Sequence, residues 1–328
     1  MKRQKMNKYK PFGGFFTKLK NTFITVCLTL AMLWGLRAYS TSASLKFIQL
    51  SDIHFLEQGT NTTFKMLGES PRLLDDAIAQ INEQSDIDFV MLTGDLIDKG
   101  FEKELSAFLP HLDSLTYPWY FAFGNHDRCI GGYLNTKLFM DMVKKVNPNY
   151  KFDKSYYAFT PKKGYRVIVL DNIITDEITS QGYVGEEQYN WLKKELNKAS
   201  KDTVILFMHV PLIEPFASPN HRLRNATKIM SLIESYKNPI GVFQGHYHAA
   251  KVVQYNNVLY VNTPALVSYP NAFRMVNVTN YKDKVTFELS WFETREKAIQ
   301  KMAKLLVLAS SIYTGEEKDQ SGIYEIKK

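Results

Sequence analysis

At 328 residues, with 45% hydrophobic and 23% charged positions, the chain has an ordinary globular composition and room for one large domain or two modest ones. Its formal net charge of +8 is local: Lys2, Arg3, Lys5, Lys8, Lys10, Lys18, Lys20 and Arg37 lie within residues 1–43, where there is no Asp or Glu, and taking these eight from the 41 basic residues leaves 33 against 33 acidic ones. A neutral body lacks the broad basic face on which nucleic-acid affinity rests, so no nucleic-acid partner is expected.

The first segment runs from the Lys-rich start through FITVCLTLAMLWGL, Phe23 to Leu36, into RAYSTSAS with small residues at Ala38, Ser40 and Ala43. That order is the order of a secretory signal peptide or a short signal anchor. The apolar core of 14 residues suits a signal better than a spanning helix of roughly 20, while the long basic start suits an anchor. Positive charge ahead of the segment keeps the N-terminus in the cytoplasm and puts the body outside. The expected location is therefore extracytoplasmic, secreted or held at the membrane through residues 1–43. Cys27 falls in this leader and Cys129 stands alone in the body, so no intrachain disulfide is expected there.

After the leader, apolar runs alternate with helix-like stretches, the pattern of an α/β or layered α+β domain. LKFIQL, DFVMLTG, PWYFAFG, YRVIVLD, TVILFMH and PIGVFQG each read as a buried strand. SPRLLDDAIAQINEQ reads as a helix with Ser70 as N-cap, Pro71 at the first helical position and Leu74, Ala77, Ile78 and Ile81 on the buried face. GEEQYNWLKKELNKA reads as another, burying Tyr189, Leu192 and Leu196. KVVQYNNVLYVNTPALVSYP and FRMVNVTNYKDKVTFELSWFE read as antiparallel strands split by Asn-rich turns. From Glu293 to about Ser311 a helix is expected, then a polar end, which divides the chain into a leader (1–43), a domain (44–292) and a C-terminal helix with its tail (293–328).

The strand endings carry the chemistry. LKFIQL runs into Ser51-Asp52-Ile53-His54, DFVML into Gly94-Asp95 and on to Asp98, PWYFAF into Gly124-Asn125-His126-Asp127, TVILFM into His209, and PIGVFQ into Gly245-His246-Tyr247-His248. Five of the seven histidines sit in these endings. His246 and His248 are two apart, and on a strand such side chains share a face and aim at one spot, which a metal can occupy. Strands of one sheet bring their C-terminal ends to one edge, so loops there can gather ligands from distant parts of the chain.

D-x-H, G-D-x-x-D, G-N-H-D, H and G-H-x-H, in that order over about residues 46 to 290, resemble the calcineurin-like metallophosphoesterase superfamily. The resemblance implies a central β-sandwich of mixed sheets flanked by helices and a pair of divalent metals, Mn, Fe or Zn. It places Asp52, His54, Asp95 and His248 on the first metal and Asp95, Asn125, His209 and His246 on the second. A water activated by the pair would attack phosphorus in line, with no covalent enzyme intermediate. His126 would contact the phosphoryl group and protonate the leaving oxygen, and Asp127 would fix its tautomer. The expected activity is hydrolysis of a phosphomonoester or phosphodiester, small or part of the cell envelope. GEEQYNWL and TPALVSYP resemble the class III cyclic-nucleotide phosphodiesterase-like branch. Within enzymes the alternative is a nuclease; outside them it is a non-catalytic scaffold of the same fold.

Several other residues invite attention. Asp98 reads as a supporting carboxylate and not a ligand, Asp171 as a cap or turn residue, and His111 as a surface residue. His221, with Arg222 and Arg224 in the insert SPNHRLRNATK, is a candidate contact for a substrate phosphate. The loop FLEQGTNTTFKMLGE after His54 is a candidate rim or lid.

Overall fold

The six apolar runs all become strands, and their partners come from segments far apart in the chain. A computed structural model describes residues 44–307 and 309–328. The expected signal segment and the membrane contact and location derived from it lie outside the described residues.

The first sheet contains β1 (Ser44–Leu50), β2 (Phe89–Thr93), β3 (Trp119–Ala122), β10 (Ala272–Asn280), β11 (Lys284–Glu293) and β12 (Gly322–Lys327), in the order β12-β11-β10-β1-β2-β3. The second contains β4 (Tyr157–Phe159), β5 (Tyr165–Val169), β6 (Thr203–Phe207), β7 (Ile240–Gln244), β8 (Lys251–Tyr255) and β9 (Val258–Asn262), in the order β4-β5-β6-β7-β9-β8. β1, β2 and β3 run parallel out to the edge of the first sheet, and β5, β6, β7 and β9 run parallel within the second. The remaining pairings are antiparallel.

Aromatic rings join the two sheets. Phe47 of β1 meets Phe207 of β6 and Phe243 of β7 edge-on, with ring centroids 5.3 and 5.0 Å apart. All three rings are fully buried, and burying such a side chain contributes about 1.5–3 kcal/mol. Helices α1 (Ser70–Asn82), α2 (Glu102–Leu112), α3 (Thr136–Val146), α4 (Glu186–Lys198), α5 (Ala226–Glu234) and α6 (Lys297–Leu306) accompany the sheets, followed by the short α7 (Ser310–Thr314) and α8 (Glu317–Gln320).

Two local expectations are revised. Ser70 does not cap α1 but lies inside it: its hydroxyl donates to the Leu67 carbonyl at 2.8 Å and accepts the Leu56 N–H at 2.9 Å, fastening both ends of the loop that follows His54. The polar tail ends in β12, which pairs with β11 from Lys284↔Lys327 to Leu289↔Gly322. An edge strand needs few apolar residues, since only Ile326 is buried along it, and so it left no hydrophobic signature.

Candidate active site

The loops after β1, β2, β3, β6 and β7 converge at one edge of the sandwich. Asp52 and His54 follow β1, Asp95 follows β2, Asn125, His126 and Asp127 follow β3, His209 follows β6, and His246 and His248 follow β7. All are buried except His126, which is partly exposed.

The expectation that His246 and His248 project from a strand is corrected. β7 stops at Gln244, and both residues lie beyond it with φ of 72° and 55°. Asp52, His54 and Asp95 share this left-handed conformation, with φ of 51°, 45° and 51°, so five of the eight non-glycine residues of positive φ among the described residues belong to the site. Each such residue costs on the order of 1–3 kcal/mol and persists because the surrounding bonds over-determine it. Here Asp52 N–H donates to the Gly94 carbonyl, His54 N–H to the Asp95 carbonyl, and His246 N–H to the Asp52 carboxylate at 3.0 Å. The turned backbone sends the two histidines apart instead of to one spot.

Two neighbouring groups each take one of the paired histidines, and a third, His54, Asp95 and His126, overlaps both. Asp52, His54 and His248 form one, with His248 Nε2 3.4 Å from Asp52 Oδ1 and 3.2 Å from His54 Nε2. Asp95, His209 and His246 form the other, with His246 Nδ1 3.1 Å from His209 Nε2. Asp95 Oδ2 lies between them, 3.4 Å from His54 Nε2 and 3.3 Å from His209 Nε2. Room for this crowding depends on Gly245, where a β-carbon would run into the Ser51 hydroxyl and the Asp52 carboxylate.

The donors present fit divalent cations. Assigning the Nδ1 protons of His54 and His248 to Asp98 Oδ1 at 3.1 Å and Ser268 Oγ at 2.8 Å leaves two bare Nε2 lone pairs facing one another. Asn125 Oδ1 is buried without a hydrogen-bond partner, a costly state that a cation relieves. Burial disfavours charge on His209, yet the adjoining Asp95 carboxylate raises it to about 9; burial and then the Lys65 ammonium lower His54 to about 3. Burial alone would raise Asp95, but His209, His126 and His54 hold it well below the usual carboxylate range. A buried carboxylate pair amid imidazoles that must be neutral to act as ligands is a binding site for hard-to-borderline divalent metals.

The tautomer role expected of Asp127 is corrected. Its Oδ1 accepts the N–H groups of Leu96 and Ile97 at 2.7 and 3.1 Å, and its Oδ2 accepts Gly124 N–H at 2.7 Å. With both oxygens turned to backbone, Asp127 ties the loop after β2 to the loop after β3. Burial, then the neighbouring Asp95, pushes its carboxyl up to about 7. What orients His126 is the Asp98 carbonyl, which accepts its Nδ1–H at 2.6 Å, while His126 N–H donates to Asp95 Oδ1 at 2.8 Å.

Asp171 is a turn residue, as expected, its Oδ1 accepting the Ile173 N–H two residues on at 3.3 Å, and it also accepts two bonds from Arg128, at 3.0 and 2.6 Å, which fasten the loop after β3 to the end of β5. His221 reaches the edge of the site, its ring 5.4 Å from that of His246. Arg224 is engaged elsewhere, with Gln181 and Glu177. His111 lies in α2, paired with Asp75 at 2.6 Å.

Three site residues escaped the sequence reading. Lys65 places its ammonium 3.1 Å from Asp98 Oδ1 and 3.4 Å from His126 Nε2, and Phe64 stacks on His248 at 4.8 Å. Tyr313 of α7 packs against Phe64 at 5.6 Å. The loop was recognisable as a rim; which of its side chains turn inward depends on the tight turn at Thr62, and Tyr313 lies far beyond the last motif.

A two-sheet sandwich with an Asp/His centre at its strand ends defines a metal-dependent hydrolase of phosphoric esters. The chain belongs to the Calcineurin-like phosphoesterase family, whose sequence model matches residues 45–250. It is 26% identical over 229 residues to a 3′,5′-cyclic-nucleotide phosphodiesterase of Nostoc sp., covering 67% of this chain and 78% of that one. It is 25% identical over 263 residues to a manganese-dependent ADP-ribose/CDP-alcohol diphosphatase of Oryza sativa subsp. japonica, covering 65% and 80%. In fold it is similar to a dimetal phosphatase from Danio rerio, with a TM-score of 0.59 and 16% identity over 76% of this chain and 99% of that one.

Proposed function

We propose that the protein hydrolyses a small phosphomonoester or phosphodiester outside the cytoplasm, with Asp52, His54, Asp95 and His248 holding one divalent cation and Asp95, Asn125, His209 and His246 the other. The observation that carries this reading is the single oxygen Asp95 Oδ2 lying within 3.4 Å of an imidazole from each group. A divalent pair, when bound, lowers the pKa of a water and neutralises charge on the phosphoryl oxygens. The chain's own residues do the rest. His126 has its Nδ1 proton committed to the Asp98 carbonyl and presents Nε2 to the substrate, where it holds and passes the proton that the leaving oxygen takes. Asp98 orients His54 through Nδ1, and Ser268 orients His248.

The substrates named for the relatives support a small phosphoester. The leader supports export or membrane attachment, because an apolar run preceded by seven basic residues and followed by small residues has the order of a translocation signal. Hydrolysis of p-nitrophenyl phosphate, its bis ester and 3′,5′-cyclic AMP by the full chain supplied with Mn, beside Asp95→Ala, tests the chemistry. Turnover absent from the wild type, or retained by Asp95→Ala, would refute it. Protease accessibility of the body on intact cells tests the location, and a body protected until lysis would place it inside.

A further inference from the structure

Lys65 is built into the site by its own loop. Thr62 N–H donates to the Lys65 carbonyl at 2.9 Å, and the Thr62 hydroxyl accepts the N–H groups of Lys65 and Phe64 at 2.9 and 3.3 Å. Met66 N–H, the next in sequence, donates to the Val267 carbonyl at 2.9 Å, and Met66 is fully buried. With Phe64 stacked on His248, the turn has one inward direction for Lys65, whose side chain is only 16% exposed.

The ammonium carries three N–H groups. One meets Asp98 Oδ1 at 3.1 Å. His54 Nδ1 lies 3.0 Å away but gives its proton to the same Asp98 oxygen, so it accepts nothing from Lys65. His126 Nε2, the atom that faces the substrate, lies 3.4 Å from the Lys65 nitrogen, so the ammonium stands beside the place the phosphoryl group takes. Lys65 stands on the Nδ1 side of His54, away from the Nε2 that approaches Asp95 and His248, so it does not occupy the space between the ligand groups.

We propose that Lys65 is a specificity-determining residue: its ammonium, seated between Asp98 and His126, meets a second negative charge at or beside the scissile phosphorus and favours phosphomonoesters and diphosphates over singly charged diesters. This rests on the reading above that His126 faces the phosphoryl group. A divalent pair would neutralise the charge that monoesters and diesters have in common. A further cationic donor adds most where a further anionic oxygen is present, as on a monoester dianion or the neighbouring phosphorus of a diphosphate. Asp98 partly neutralises the ammonium, but it does so from one side and leaves the cationic end turned toward His126.

The test uses the full chain with Mn and compares wild type, Lys65→Met and Lys65→Arg on p-nitrophenyl phosphate, bis(p-nitrophenyl) phosphate and ADP-ribose, with metal content measured on each. Loss of one charge-assisted hydrogen bond should lower kcat/KM of Lys65→Met by about 10- to 100-fold on the monoester, the diphosphate or both. Whichever arm falls names the source of the second charge. The bis ester should change far less, metal content should be unaltered, and Lys65→Arg should recover most of the loss. An equal fall on all three substrates would make Lys65 a loop anchor and overturn the proposal, as would an unchanged substrate ratio. A wild type inert on all three overturns the hydrolytic reading and this one with it, whereas an active wild type whose ratio survives Lys65→Met overturns this one alone.

Discussion

His246 Nδ1 lies 3.1 Å from His209 Nε2, and the other nitrogen of His209 already donates its proton to the Thr93 carbonyl at 2.8 Å. Two ring nitrogens brought this close in a buried site, beside Asp95 Oδ2, are best satisfied by a cation. Chelation should therefore lower the melting temperature, and Mn should restore it: at a metal concentration of about 100 times Kd the linkage contributes about 2.7 kcal/mol, or about 4–5 °C for a domain of this size. Asp95→Ala should lose the thermal response, the bound metal and the activity together, because it removes the oxygen common to both groups. Calorimetry with elemental analysis decides this, and a full Mn response in the variant would disconnect Asp95 from the metals.

His126 is held from Asp98 and Asp95 and lies within ligand distance of His54 and Asp95, but in the proposed function it carries a proton and not a metal. His126→Ala should accordingly reduce kcat by about 10²–10³-fold, the range of a positioned proton donor, with metal content close to wild type. Loss of metal in step with activity would instead make it a ligand.

Asp127 acts on the backbone, which changes what its replacement should do. In Asp127→Asn the amide must oppose one of the donors from Leu96, Ile97 or Gly124, leaving a buried N–H unmet at a cost of about 2–3 kcal/mol. The melting temperature should fall by about 3–5 °C, while kcat at 25 °C stays well above that of His126→Ala. An unchanged melting temperature with kcat as low as His126→Ala would return Asp127 to the tautomer role that the sequence suggested.

Cys129 is buried, its thiol directed at the Asn125 carbonyl at 3.2 Å, and burial raises it to about 11. The thiolate is the reactive form, so alkylation of the folded protein at pH 8 should be far slower than alkylation of the denatured chain, and should accelerate only as pH rises toward 11. Iodoacetamide labelling followed by mass spectrometry measures both rates; equal rates would mean that the β3 loop opens readily.

Much of the centre was legible before folding because strand and ligand are adjacent in the chain. Each buried run declares itself by composition, and the Asp, Asn or His that ends it follows within a few residues, as in LKFIQL-SDIH or PIGVFQ-GHYH. Edge elements were less legible. β4 has three residues and β12 one buried residue, too little apolar pattern to register.

Amino-acid order alone specified the buried inner strands and the side chains that wait at their ends, since these follow from local periodicity and turn chemistry. Pairing over long separations decided the rest: that His246 and His248 sit on left-handed backbone beyond β7, that Asp127 serves backbone donors and not His126, and that Lys65 is the lysine beside Asp98 and His126. These outcomes turn on φ at single residues and on which loops the two sheets bring together. A backbone angle held by a partner nearly 200 residues away, as at His246 and Asp52, leaves no trace in the local pattern.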